Sequence, residues 1–313
     1  MNKTKKIKRI IKKFTPDFIM SIWRKYQEIK EKKEWKKWAI PLENQVKNYL
    51  ENIPKESMTD EIQEILDYLR KPHSYTHIPY SYKENYNPDN VKVYKDNERG
   101  MLYVIYDEKR LYFKKDWHEK WIRKYYNYLM IEQDEKSPHR YETSDFCVNQ
   151  GDIVVDAGAA EGNFALSVIE KVKKIYLFEV EEEWIDVLRV TFEPWKDKVV
   201  IIKKYISDNN ENNCVTLDSI FENEEINFIK ADIEGAEIQL LNGAKSIMAR
   251  EMPPKIILCT YHNQNDAEII DNMLTKQGFN TEFSKGFMIY LYETLNPPYL
   301  RRGLIRAWKN KKR

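Results

Sequence analysis

The chain has 313 residues, of which 42% are hydrophobic and 33% charged, and its formal net charge is +2 at pH 7. This composition excludes a largely disordered chain, which lacks core-forming residues, and a membrane-embedded one, which tolerates few charges. No apolar run approaches the ~20 residues of a transmembrane helix, and no secretory leader is recognisable, so we expect a cytoplasmic protein.

Both ends of the sequence are basic. Residues 1–38 carry 14 Lys and Arg against 4 Asp and Glu, and residues 301–313 carry 7 against none. The body between them is acidic, which argues against nucleic acid as a partner of the core. Apolar residues accompany the cations at helical spacing: Ile7, Ile11, Phe14, Phe18 and Ile22 near the N-terminus, and Leu304, Ile305 and Trp308 near the C-terminus. Two interpretations stay open. Either both ends bind the anionic cytoplasmic face of a membrane, or the N-terminal stripe packs on protein.

The patterns divide the chain into four regions. Residues 1–70 are predicted to be a basic helical region, in which Thr59 begins a short helix. Residues 71–145 are predicted to be a small α+β accessory or lid region, with a three-stranded meander between Val91 and Phe113 and a helix over Asp116–Gln133. Residues 146–295 form the main domain, and residues 296–313 a basic C-terminal tail.

The main domain alternates strand and helix, which predicts a doubly wound, Rossmann-like α/β sheet of mostly parallel strands. Strands are expected at Ile153–Asp156, Ile175–Val180, Val199–Ile202, Ile226–Asp232 and Lys255–Thr260. Phe279–Phe283 and Phe287–Leu291 are separated by only three residues, so we expect an antiparallel last strand at the sheet edge. The three cysteines, Cys147, Cys214 and Cys259, have no spacing typical of a disulfide framework or a zinc site.

A glycine-rich turn follows the first of these strands. Asp156 precedes it, and Gly158, Ala159, Glu161 and Gly162 form a GxxxG loop that lets a bulky ligand approach the backbone. The loop lacks the GxGxxG spacing of dinucleotide enzymes. An acid beside exposed amides suits the amino-acid end of S-adenosylmethionine.

Two further acids extend this candidate cofactor site. Glu179 ends the next strand, where a carboxylate can accept both hydroxyls of a ribose, or can merely cap the following helix. Asp208, after the third strand, is either a ligand of the adenine amino group or an ordinary turn residue.

Several short segments of the sequence together form a recognisable pattern. They are Asp156–Asn163, Phe178-Glu179, Thr216–Asp218 and, above all, the Lys-Ala-Asp-Ile-Glu-Gly-Ala-Glu segment of residues 230–237 with the following Leu241–Ala244. This pattern resembles the FkbM family of methyltransferases. The resemblance implies a class I methyltransferase fold, S-adenosylmethionine as cofactor, and methyl transfer to oxygen, often on glycans or secondary metabolites. The chain departs from the common family pattern at Ala160 and Val180.

The acceptor side of the site is predicted at the ends of the fourth and fifth strands. We place Asp232 at the cofactor or the acceptor, and Glu234 at the acceptor. His262 is either the general base, because imidazole titrates near neutral pH, or a histidine that only hydrogen-bonds a loop. His139 is a second candidate for substrate binding. A divalent metal on the acids is possible but is not favoured.

Two other functions remain open. Asn296-Pro297-Pro298-Tyr299 spells a tetrapeptide of nucleic-acid methyltransferases, but it does not follow the fourth strand, so we interpret it as a turn. A non-catalytic, membrane-associated protein that keeps the cofactor fold is the other alternative. The acceptor and the oligomeric state are not predictable from the sequence.

Overall fold

The structure is a computed structural model that describes residues 37, 40–73, 77–289 and 296–310. The predicted N-terminal apolar stripe therefore lies outside the described residues. Residues 40–51 form helix α1 and Asp60–Leu69 form α2. Thr59 begins α2 as predicted, because its hydroxyl accepts a hydrogen bond from the Ile62 amide at 3.3 Å. Short 3-10 turns lie at Lys55–Ser57 between α1 and α2, at Ser81–Asn85 and Pro88–Asn90 after α2, and at Glu193–Trp195 later in the chain.

The accessory region is an antiparallel meander followed by one helix. Its elements are β1 (Tyr94–Asp96), β2 (Met101–Tyr106), β3 (Lys109–Tyr112) and α3 (Glu119–Glu132). Its apolar side chains pack on the main domain, where Met101 and Tyr112 join Trp184 and Val187 in one buried cluster. The predicted meander and helix are confirmed, although the first strand begins at Tyr94 because residues 88–90 form a 3-10 turn.

The strands of the main domain are β4 (Ile153–Ala157), β5 (Lys174–Phe178), β6 (Val199–Ile202), β7 (Tyr205–Ile206), β8 (Cys214–Val215), β9 (Phe228–Ala231), β10 (Lys255–Cys259), β11 (Asn280–Phe283), β12 (Met288–Ile289), β13 (Leu300–Arg301) and β14 (Leu304–Trp308). Seven of them form one sheet in the order β11-β14-β10-β9-β4-β5-β6, while β7 pairs with β8 and β12 pairs with β13 outside it. The helices are α4 (Asn163–Val168), α5 (Glu182–Thr191), α6 (Leu217–Ile220), α7 (Glu237–Asn242), α8 (Lys245–Met248) and α9 (Asp266–Lys276).

Five neighbouring strands of the sheet, β10, β9, β4, β5 and β6, run parallel. Apolar side chains cover both faces of the sheet, in one core that reaches the N-terminal helices and in a second that includes α7, α8 and α9. Because the carboxyl ends of parallel strands meet at one edge, the residues after β4, β5, β9 and β10 converge there. The predicted doubly wound class I fold is confirmed.

The C-terminal end of the sheet corrects the sequence prediction. The antiparallel strand of the sheet is β14, which lies between β10 and β11, whereas Met288–Ile289 pairs outside the sheet with Leu300–Arg301. Leu304, Ile305 and Ala307 are completely buried. Residues 304–308 are therefore neither a tail nor a membrane-binding cluster, because their apolar side chains face protein on both sides of the sheet.

No helix in the described part of the chain has the length and apolar character needed to cross a bilayer. The Asn296–Tyr299 turn lies against α1, where the Tyr299 hydroxyl accepts a hydrogen bond from Gln45 at 2.7 Å. Tyr299 is buried. This agrees with the interpretation of the tetrapeptide as a turn.

Candidate active site

The glycine loop after β4 is pressed against the end of β9. Gly158 has a φ of +74°, and a Cβ atom there would lie 1.9 Å from the carbonyl oxygen of Asp232. Any side chain at residue 158 would therefore displace Asp232. The amides of Gly158 and Ala159 both donate to the Phe178 carbonyl, at 3.0 and 3.1 Å. Gly158 and Ala159 thus fix the shape of the loop, and Gly162, with a φ of +89°, begins α4.

A buried ion pair lies beneath this loop. Lys230 Nζ is 2.9 Å from Asp156 Oδ1 and donates to the Gly158 carbonyl at 2.9 Å. Burial raises the pKa of Asp156, and the Lys230 ammonium opposes that rise. Asp156 is completely buried, and the expectation that it contacts the cofactor stays a prediction. Its role in the described structure is to hold Lys230, and through it the loop.

The Glu179 carboxylate connects the ends of β4 and β5. Its Oε2 accepts from the Ala160 amide at 3.0 Å, and its Oε1 accepts from Val180 and Glu181 at 2.7 and 2.8 Å. Since each carboxylate oxygen has two acceptor positions, these contacts leave one on Oε2. The side chain therefore stabilises the turn before α5 and retains capacity for one ribose hydroxyl.

Two other predicted cofactor residues lie in different surroundings. Glu161 is buried and accepts a hydrogen bond from Tyr125 of α3 at 2.6 Å, so it links the loop to the accessory region. Burial raises the pKa of its carboxyl. Asp208 is exposed in a polar turn beside Ser207 and Asn209. The geometry thus gives Glu161 a contact with α3 and leaves Asp208 exposed to solvent.

Asp232 is the centre of the site. Its carboxylate accepts hydrogen bonds from Tyr141 at 2.9 Å and Tyr261 at 3.2 Å, and it lies 3.5 Å from His139 Nε2 and 3.3 Å from His262 Nε2. Although burial favours the neutral acid, the two histidines hold the pKa of Asp232 well below its usual range. This carboxylate is therefore ionised, and four side chains from two segments, residues 139–141 and 261–262, fix its position.

His262 lies between two acids. Its Nε2 faces Asp232, and its Nδ1 is 3.1 Å from an oxygen of Glu237. Burial lowers the pKa of His262, but these carboxylates outweigh it and raise the pKa to about 10. An imidazole with this pKa is protonated at neutral pH in this arrangement, and the role of His262 as a general base stays a prediction.

Glu234 is the solvent-facing acid of the site. Its side chain is 81% exposed, and its Oε2 lies 3.9 Å from His262 Nε2. The backbone φ of Glu234 is +54°, a conformation that costs free energy for a residue with a side chain. Burial and the Asp232 charge raise the pKa of Glu234, and His262 opposes them.

The structure brings together Asp232, Glu234, His262 and His139, as predicted, but it buries His139 to 1% exposure, away from any large substrate. Sequence analysis missed the tyrosine donors Tyr141 and Tyr261, and Glu132 of α3, whose pKa burial raises to about 7. Tyr261 is adjacent to His262 and could have been found. Tyr141 and Glu132 come from the accessory side, where the sequence carries no motif.

The fold is that of the class I methyltransferases. The family described as the methyltransferase FkbM domain matches residues 201–281, which include Asp208, Asp232, Glu234 and His262. The resemblance to the FkbM family is thereby confirmed over these residues. This family implies S-adenosylmethionine as the cofactor. None of the curated proteins matches the sequence.

Solved structures give only distant similarities. Methyltransferase FkbM from Methylobacillus flagellatus KT is 16% identical, with 61% of this chain and 53% of that chain covered and a TM-score of 0.42. This chain thus spans about half the length of that protein. An rRNA methylase from Streptococcus thermophilus is 21% identical, covering 52% and 89% with a TM-score of 0.37. Precorrin-6y C5,15-methyltransferase from Geobacter metallireducens GS-15 is 13% identical, covering 51% and 82% with a TM-score of 0.36.

Proposed function

We propose that the protein is an S-adenosylmethionine-dependent O-methyltransferase whose acceptor is a hydroxyl of a glycan sugar or a related metabolite. The observation that carries this proposal is the position of Glu234. It is the exposed carboxylate at the carboxyl end of β9, next to the partly buried Asp232 and the buried His262. A hydroxyl acceptor must lose a proton as it is methylated, and an exposed carboxylate with a raised pKa suits that task.

The remaining residues of the site position the reacting groups and neutralise the positive charge of the cofactor. S-adenosylmethionine, when bound, supplies a methyl group on a cationic sulfonium. The carboxylates of Asp232 and Glu179 favour a cation at this edge of the sheet, and the Gly158 turn lets the backbone approach a ligand closely. Asp232, held by Tyr141 and Tyr261, orients the groups around it. Alignment of this kind supplies much of the rate of a displacement reaction.

Methyl transfer by the full chain to separate fractions of cell glycans, RNA and DNA tests the proposal. With S-adenosylmethionine labelled on the methyl group, we expect label in the glycan fraction, with a mass gain of one CH₂ unit in the product. Glu234→Gln should lower turnover about a hundredfold and leave cofactor affinity nearly unchanged. Label only in RNA or DNA would favour a nucleic-acid methyltransferase, and cofactor binding with no labelled fraction would favour a non-catalytic protein.

A further inference from the structure

The three residues Asp232, Glu237 and His262 form a group of possible metal ligands. A carboxylate oxygen of each acid and a ring nitrogen of His262 all lie within 4.8 Å of one another. Two ligand atoms that each lie about 2.2 Å from one ion are at most ~4.4 Å apart. Because Nε2 of His262 faces Asp232 and Nδ1 faces Glu237, a rotation of the imidazole that turns one ring nitrogen towards both acids would be needed to place the three ligands around one cation.

Glu237 provides a second, independent observation. It is 1% exposed, and its Oε1 accepts from the Ile233 amide at 3.0 Å and faces His262. Its Oε2 is buried and has no hydrogen-bond partner among the residues that the structure describes. A buried carboxylate oxygen without a donor is costly, and a cation bound beside it would remove that cost.

We propose that Asp232, Glu237 and His262 bind a divalent transition-metal ion at the carboxyl ends of β9 and β10. The donor set selects the class of ion: imidazole favours transition metals, whereas Mg²⁺ and Ca²⁺ prefer oxygen alone. Two carboxylates and one imidazole, which would give up its proton when the metal binds, also balance a charge of +2. Asp232 keeps a 20% exposed side chain, which leaves the group open towards Glu234 and the solvent.

This inference rests on the proposed function for its chemical role. An ion at this position would bind the acceptor hydroxyl and lower the pKa of its proton, which Glu234 would then accept. The surrounding hydrogen bonds suit such a site, because Tyr141 and Tyr261 hold the Asp232 carboxylate in place.

Binding of Mn²⁺ alone to the full chain tests the proposal without any methyl acceptor. We expect one Mn²⁺ per chain by calorimetry and by loss of the free-ion electron paramagnetic resonance signal, with weaker binding of Mg²⁺. Glu237→Gln should weaken Mn²⁺ binding at least tenfold. The glutamine keeps an oxygen for the Ile233 amide, so the variant should fold. Glu224→Gln, an acid on the opposite side of the domain that contacts Lys174, is the matched control.

Thermal unfolding provides a second readout. Mn²⁺ should raise the melting temperature of the wild type and of Glu224→Gln, but not that of Glu237→Gln or His262→Gln. Binding to none of Mn²⁺, Zn²⁺ and Mg²⁺ would overturn the proposal. So would Mn²⁺ affinity that falls in Cys259→Ser but not in Glu237→Gln, because the ion would then lie at the deeper group of His139, Asp232 and Cys259. Methyl transfer that persists without Mn²⁺ binding would leave the proposed function standing and remove the metal.

Discussion

Lys230 Nζ lies 2.9 Å from Asp156 Oδ1, and both side chains are almost completely buried. Lys230 begins the most distinctive motif of the sequence, residues 230–237, and Asp156 is the acid before the glycine loop. The two side chains thus form one contact between β9 and β4. Breaking such a pair leaves an uncompensated charge in the core. We expect Lys230→Met to lower the free energy of unfolding by about 3 to 5 kcal/mol, measured by urea denaturation.

The double variant Lys230→Met with Asp156→Leu is the control, because it removes both charges. We expect it to recover most of the stability lost in the single variant. A double variant no more stable than Lys230→Met would mean that packing, and not the charge pair, accounts for the loss.

The contact between Tyr125 and Glu161 predicts that the accessory region supports cofactor binding. Tyr125→Phe should lower the free energy of unfolding by about 1 to 3 kcal/mol and weaken S-adenosylmethionine binding, since the glycine loop loses its tie to α3. Tyr126→Phe removes a hydroxyl from the same helix that donates to the Ile105 carbonyl, and it should leave cofactor affinity unchanged. Equal affinities in both variants would argue against a link from α3 to the loop.

For Glu179 we expect the alanine variant to bind S-adenosylmethionine more weakly by about 1 to 3 kcal/mol, because a ribose hydroxyl would lose a charged acceptor. Calorimetry measures this directly. The same variant loses the contacts to the Ala160, Val180 and Glu181 amides, so its unfolding must be measured in parallel. Lower stability with unchanged affinity would restrict Glu179 to capping α5.

The raised pKa of Glu132 predicts a pH dependence of stability. Its folded pKa of about 7 lies above the ordinary value of 4.5, so the folded state binds the proton more tightly between these values. Stability from this group is therefore present below pH 4.5 and decreases as the pH rises to 7. Glu132→Gln should remove the decrease and be more stable than the wild type above pH 7 by about 1 to 3 kcal/mol.

Urea denaturation at pH 5 and pH 8 measures this difference. Glu135→Gln is the matched control, because Glu135 is 90% exposed and three residues away. If the free energy of unfolding changes between pH 5 and pH 8 by the same amount in the wild type and in Glu132→Gln, other groups account for the pH dependence.

The C-terminal strand predicts that residues 304–313 are required for folding. Removing them exposes the edge of β10 and takes away the only sheet partner of β11 in the described structure. We expect the shortened chain to lose cooperative thermal unfolding, whereas removing residues 311–313 alone should change little. A cooperative transition and intact cofactor binding in the shortened chain would contradict this expectation.

Local patterns predicted most of the fold. Val154-Val155 and Phe228-Ile229 are apolar runs of strand length, and acids and glycines follow the first, so the sheet and its ligand edge could be found. β14 could not be predicted in this way. A run of five residues within a C-terminal region that carries seven cations is as typical of a membrane-surface segment as of a strand buried on both faces. The distinction depends on whether β10 has a free edge, which no local pattern records.

The same limit applies to the site. Strand ends predicted Asp232, Glu234 and His262 as neighbours, since parallel strands end together. The charge state of His262 depends on Glu237, which α7 turns back towards it, and the donors of Asp232 include Tyr141 from before the first strand. These contacts bring together residues distant in sequence and become visible only when the chain is folded.

The position of β14 also determines how the sheet can assemble. β11 precedes β14 in the chain but can join the sheet only through it, so the strands cannot be added in the order of their synthesis. Until β14 inserts, β10 presents an unpaired apolar edge of the kind that recruits strands from other chains. We therefore expect aggregation during refolding to depend on how fast residues 304–308 reach this gap, and a chaperone to act before that step.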